Sequence, residues 1–170
     1  MVGVFAIVLS RIIPHPPNAT ATNAVALISA RYVGAKGALT IVIVAMIIGD
    51  LVLGFYQPIL MALVYGSFIF VTLLGLLIPK RHGVIMPMAL SVIGSGIFFV
   101  ITNAGVWAFS GMYPLSVAGL LSAYTLALPF YGYMLMGDLF YAGILFGGAT
   151  LLSTKGNKAY DVRHVAKSTS

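Results

Sequence analysis

Apolar residues run along this chain in long unbroken tracts, and the breaks between tracts fall at prolines, glycines and charges. The stretch LTIVIVAMII (39–48) is continuous rather than alternating. A membrane barrel strand alternates apolar and polar residues over ~10 positions, so these tracts predict helices. The uncharged stretches Leu51–Pro79 and Gly83–Gly137 contain 29 and 55 residues, each more than the ~20 needed for one crossing.

The breaks predict six spans, at about 2–13, 20–34, 37–55, 59–78, 84–109 and 134–152. Pro14 ends the first, which at ~18 Å is shorter than the ~30 Å hydrocarbon core; it is tilted into a thin region or lacks a turn or two. Thr and Asn residues in the first turn of the second span are available as caps. Gln57-Pro58 separates the third span from the fourth, and Pro79-Lys80-Arg81-His82-Gly83 is a tight basic turn before the fifth. The 15 apolar residues 115–129 between two prolines are short for a crossing and read as a re-entrant or interfacial helix. The expected fold is therefore all-α and polytopic: a single transmembrane domain over 1–152 with six helices plus the helix at 115–129, then a basic cytoplasmic tail at 153–170.

Charge supports that count. With 115–129 not crossing, Arg31, Lys36, Lys80, Arg81, Lys155, Lys158, Arg163 and Lys167 share one side, and only Arg11 lies opposite. The positive-inside rule makes the populated side cytoplasmic and puts both termini there. Composition agrees: 61% of residues are hydrophobic and 7% charged, against about 25% charged in a soluble domain. The net charge of +6 is scattered between spans and does not point to nucleic acid. Absence of cysteine excludes a disulfide framework and a thiolate metal site. Ala19-Thr20-Ala21 has the small residues of a signal cleavage site, but no Lys or Arg precedes the short apolar run Val4–Leu9. Asn18-Ala19-Thr20 is a formal glycosylation sequon lying against a span.

In this topology the polar residues collect in the outer half. The first outer loop brings Arg11, His15, Asn18 and Thr20, with Asn23 just inside the second span. Asp50, Tyr56 and Gln57 end the third, Tyr65 lies in the fourth, and Thr102, Asn103 and Trp107 in the fifth. Tyr113, Ser122, Tyr124, Tyr131 and Asp138 follow. An intramembrane acid is costly without a partner, and Arg11 is the outer-side cation, so an Arg11–Asp pair lining a wet cavity is the economical arrangement. Each residue also has a plainer reading. Tyr56, Trp107, Tyr113 and Tyr131 sit where an interfacial aromatic belt is expected. The two aspartates follow glycines near helix ends, and His15 between prolines fits a solvated loop. Asn103 within a span must hydrogen-bond to another helix or to a ligand. Ala6-x-x-x-Ser10, Ala26-x-x-x-Ala30 and Gly143-x-x-x-Gly147 permit close helix contact, either internally or with another membrane subunit. No zinc-protease, nucleophile-elbow or phosphate-loop motif is present. The expectation is therefore no enzyme, no metal and no cofactor.

The stretches PHPPNATATNAVAL (14–27), IIGDLVLGFY (47–56), FFVITNAGVWAFSGMYPLSVAGLLSAY (98–124) and LPFYGYMLMGDLFYAGILFGG (128–148) carry a resemblance. The chain resembles the substrate-binding S components of energy-coupling factor (ECF) transporters, in particular an uncharacterised branch with a "PHPPN" loop. The resemblance implies an integral protein of a prokaryotic plasma membrane that captures a vitamin, vitamin precursor or other micronutrient from outside. Three outer loops would close over the ligand, and a transmembrane coupling subunit with two ATPases would be partners. Arg11, His15, Asn18, Asn23, Asp50, Tyr56, Gln57, Asn103, Trp107, Tyr113, Tyr124 and Asp138 are the expected substrate-binding residues. Ala6, Ser10, Ala26 and Ala30 are the expected docking residues. The alternative is a non-transporting accessory subunit of a larger membrane complex.

Overall fold

The computed structural model describes residues 1–79 and 83–168, with side chains through 151. The basic turn at Lys80, Arg81 and His82 lies outside the described residues, as do the side chains of the tail cations. The chain is all-helical, with α1 (Val2–Ile12), α2 (Thr22–Leu53), α3 (Pro58–Leu74), a 3₁₀ turn at Gly75–Leu77, α4 (Ile85–Phe109) and α5 (Val117–Ser168). Among the described residues, four stretches are long and apolar enough to cross a membrane: Thr22–Leu53, Pro58–Leu77, Ile85–Phe109 and Val117–Leu151.

The second and third expected spans form one continuous element, but α2 is not straight. Gly34 has φ 74° and ψ 176°, a combination open essentially to glycine alone. A β-carbon placed on Gly3 would lie 3.3 Å from Val25 and 3.0 Å from Ile41. In a straight helix those two residues would be about 24 Å apart. The chain therefore reverses at Gly34 into two antiparallel arms, α2a (22–33) and α2b (35–53). The break falls where the sequence placed a turn.

α2a is the centre of the protein. Residues 21–27 are all buried, as are Ser29 and Ala30, and α2 packs against every other helix. Small side chains make that possible: a β-carbon on Gly75 would sit 2.6 Å from the Leu27 carbonyl oxygen and 2.8 Å from the Ala30 β-carbon. Ala26 and Ala30 are 0% and 2% exposed, so the expected docking face on this helix is consumed by internal packing. The helix is also not capped by its own Thr or Asn. The N-cap is Ala21, and its N–H donates to Ser10 Oγ of α1 at 3.0 Å. That hydroxyl donates in turn to the Ile7 carbonyl, so Ser10 too is engaged internally, while Ala6 packs partly buried against the core.

The helix expected over 115–129 is not a separate element. It is the first part of α5, which continues through Pro129 and on into the basic tail. Tyr124 Oη donates to the Val100 carbonyl, Ser95 reaches Asp138, and Gly147 faces Val84. These pairs run in opposite directions along the two chains, so α4 and α5 form an antiparallel hairpin with residues 117–129 beside the second half of α4. Proline at 129 removes one backbone donor, but flanking turns and the α4 wall hold the helix together.

Candidate functional site

The reversal at Gly34 and the α4–α5 hairpin bring together the C-terminal end of α1, the start of α2a, the second half of α2b and the middles of α3, α4 and α5. A cavity of about 270 Å³ opens there. Arg11 of α1 and His15, Asn18 and Thr20 of the 13–21 loop form one wall. Thr22 and Asn23 come from α2a, and Met46 from α2b. Val64 and Phe68 come from α3, Phe98 from α4, and Met134 and Asp138 from α5; Leu53 and Tyr56 complete the rim. A second cavity of about 230 Å³ shares Asn18, Val64, Phe98 and Met134 with the first and extends along Phe99, Asn103 and Tyr131.

Two polar centres flank the main cavity. In the first, the Arg11 guanidinium pairs with Asp50 and also contacts the Met46 sulfur. Asp50 is 1% exposed, and its second oxygen accepts from Tyr65 Oη at 2.8 Å. The Arg11 stem passes over Gly49, where a β-carbon would meet Nε at 2.9 Å. Gly49 thus opens the path by which arginine reaches the aspartate one residue further on. The expected Arg11–Asp pair is present, with Asp50 as the acid, and it is the one ion pair among the described residues.

The second centre has no cation among the described residues. Asp138 is 2% exposed, and its Oδ2 accepts from Asn23 Nδ2 at 2.7 Å and from Ser95 Oγ at 2.5 Å. Asn23 is 1% exposed, and its Oδ1 is buried with no hydrogen-bond partner. Buried polar groups are nearly always satisfied, so an orphan amide oxygen beside a cavity marks unused binding capacity.

Loop 13–21 is held down onto these centres. Ala19 packs on Gly137, where a β-carbon would lie 2.8 Å from the Ala19 α-carbon. Asn18 adopts a positive φ of 65°, a conformation asparagine tolerates better than most residues. His15 donates from Nδ1 to the Ile13 carbonyl at 2.7 Å. Across the mouth, burial and then the Asp50 carboxylate push the Tyr56 phenol above its ordinary range, against the pull of Arg11. It therefore stays a neutral hydroxyl.

Of the expected binding residues, Arg11, His15, Asn18, Asn23, Tyr56 and Asp138 line the main cavity, and Asp50 stands behind Arg11. Asn103 borders the second cavity, but its amide donates to the Phe99 carbonyl of its own helix at 2.8 Å, and so needs neither another helix nor a ligand as acceptor. Four others border neither cavity. Gln57 donates to the Phe109 carbonyl, Trp107 to Pro114 and Tyr124 to Val100. The first two bonds tie loops to the C-terminal end of α4, and the third holds α5 against the second half of α4. Tyr113 sits partly buried in the 110–116 loop. Sequence reasoning misses Thr22, Met46, Leu53, Val64, Phe68, Ser95, Phe98 and Met134. Only Ser95 carries a signal, as a hydroxyl four residues after Ser91 in the middle of an apolar span.

Searches of curated proteins and of solved structures each returned no match. A family model matches residues 1–160; the chain belongs to that family, DUF6580, a family of unknown function.

Proposed function

We propose that this protein captures a small organic molecule within the membrane, in the manner of a substrate-binding subunit of an uptake system. The observation that carries the reading is the cavity itself. Six helical segments contribute to it, and its walls pair an apolar side of Met46, Leu53, Val64, Phe68, Phe98 and Met134 with polar groups that converge from α1, loop 13–21, α2a and α5. That combination is typical of small-molecule sites, and about 270 Å³ suits a compact ligand. The resemblance to ECF S components supports a vitamin, a precursor or another micronutrient as substrate class, with a coupling subunit and ATPases supplying energy. Ala26 and Ala30 face the interior of the bundle, so such a subunit would dock on a face other than theirs.

The same reading takes α1, α2a, α2b, α3, α4 and α5 as six crossings, with loop 13–21 and the cavity outside and the Gly34 turn inside. Arg31 and Lys36 flank that turn, as the positive-inside rule requires. Because the chain has no cysteine, single cysteines at Asn18 and Lys36 can be labelled without background. The reading expects opposite sidedness, and labelling of both from one side would overturn the topology.

Capture is tested by thermal shift and ligand copurification across a panel of vitamins, precursors and other small metabolites. At least one compound is expected to stabilise the wild type and to fail with Phe98→Trp, which fills the cavity. The absence of stabilisation by every compound would overturn the proposal.

A further inference from the structure

We propose that the cavity receives the protonated amino group of an organic amine, seated between Asp138 and Asn23. The inference rests on the capture reading and names its substrate class. Asp138 is enclosed in the bundle, yet both its hydrogen-bond donors are neutral and both act on Oδ2. Asp50, the other acid whose side chain is described, has Arg11. Among the described residues no cation stands within ion-pair distance of Asp138. A carboxylate in a low-dielectric interior calls for a positive partner, and the bordering cavity is where one can enter.

The neighbouring amide sharpens the chemistry. Asn23 Nδ2 is spent on Asp138, which leaves Oδ1 as a buried acceptor with nothing to accept from. Unused capacity beside Asp138 on the cavity wall is therefore an acceptor oxygen, and the group complementary to it and to the carboxylate is a positively charged donor. An ammonium fits, with three N–H groups for the carboxylate and the amide oxygen. A ligand carboxylate would instead set a second negative charge against Asp138. A divalent metal ion is poorly served, since it takes six or so oxygen ligands, and no cluster of three or more His, Asp or Glu occurs among the described residues. Phe98 and Phe68, with ring centroids 5.0 Å apart, add aromatic surface that favours a cation with an apolar body.

Methylammonium is small enough to enter whatever the shape of the natural ligand. The experiment measures thermal unfolding of purified protein, followed by Trp107 fluorescence, in methylammonium chloride, sodium chloride and potassium chloride at equal ionic strength. Methylammonium is expected to raise the midpoint saturably above both salts. Asp138→Asn should weaken that response by about 30-fold or more. Asn23→Leu, which deletes the amide oxygen at similar volume, should weaken it by about 5- to 10-fold and serves if the first variant does not fold. Equal midpoints in the three salts for wild type would overturn the inference. So would an equal effect of sodium, which would make this an inorganic cation site, or an undiminished response in Asp138→Asn. A neutral or anionic panel compound that binds in a Phe98-dependent way, where methylammonium does not, would remove the amine and leave capture standing. Methylammonium binding lost in Asp138→Asn, with no panel compound bound, would leave the amine site and remove capture.

Discussion

Replacing Arg11 with methionine tests the most sharply defined contact in the protein. Methionine keeps an unbranched apolar stem over Gly49 and deletes only the guanidinium. Asp50, 1% exposed, is then left with the Tyr65 hydroxyl as its one donor. Removing one partner of a buried ion pair typically costs about 3–5 kcal/mol, because the other charge is left uncompensated. Arg11 retains 14% exposure and borders the cavity, so solvent offsets part of the loss and the lower end, about 3 kcal/mol, applies. For a chain of this size that corresponds to a fall of roughly 6–12 °C in midpoint. Asp50→Asn alone should cost less, about 1–2 kcal/mol, since Arg11 can turn toward the cavity while the substituted amide oxygen still accepts from Tyr65. The double variant should regain most of the Arg11→Met loss, because no buried charge remains. The assay is reversible unfolding in mixed micelles, with all four proteins forming a double-mutant cycle. Additivity to within about 0.5 kcal/mol, or an Arg11→Met cost below about 1 kcal/mol, would refute the reasoning.

Gly34→Ala should cost about 1–3 kcal/mol from backbone strain alone, since its β-carbon would meet nothing within 4 Å. Gly66→Ala, equally open but without a positive φ, should stay within about 0.5 kcal/mol in the same unfolding assay. Gly137→Val drives a side chain into the Ala19 backbone and should lift loop 13–21. The expected cost is about 1–3 kcal/mol, accompanied by faster labelling of a cysteine placed at Asn18; unchanged labelling would show that the contact does not hold the loop.

The helices are legible because continuous apolar tracts leave the chain few other ways to satisfy its backbone in lipid. Gly34 between Arg31 and Lys36 marks the reversal correctly. The segment 115–129 misleads because its length and flanking prolines look like helix ends, whereas a proline can sit within a long helix when neighbouring elements support the bend. The Arg11–Asp50 pair can be inferred because charges in this chain are so few. Phe68, Phe98 and Met134 cannot, since in a sequence this apolar a cavity wall, a packed core and a lipid-facing surface use the same side chains. Gln57, Trp107 and Tyr124 look like ligand contacts, but their donors serve backbone carbonyls of α4 and of the loop after it, a distinction that only three-dimensional placement reveals.

α1 is an 11-residue helix that packs chiefly against α2, and it carries Arg11 to the cavity. An element held mainly by the two arms of one partner helix, α2a and α2b, opens at lower free energy than the bundle as a whole. Entry to the cavity therefore need not unravel the α2–α5 scaffold. Withdrawal of α1 alone would separate Arg11 from Asp50 and free loop 13–21 from Gly137. In such an opening, the Arg11–Asp50 pair would be the costliest contact to break.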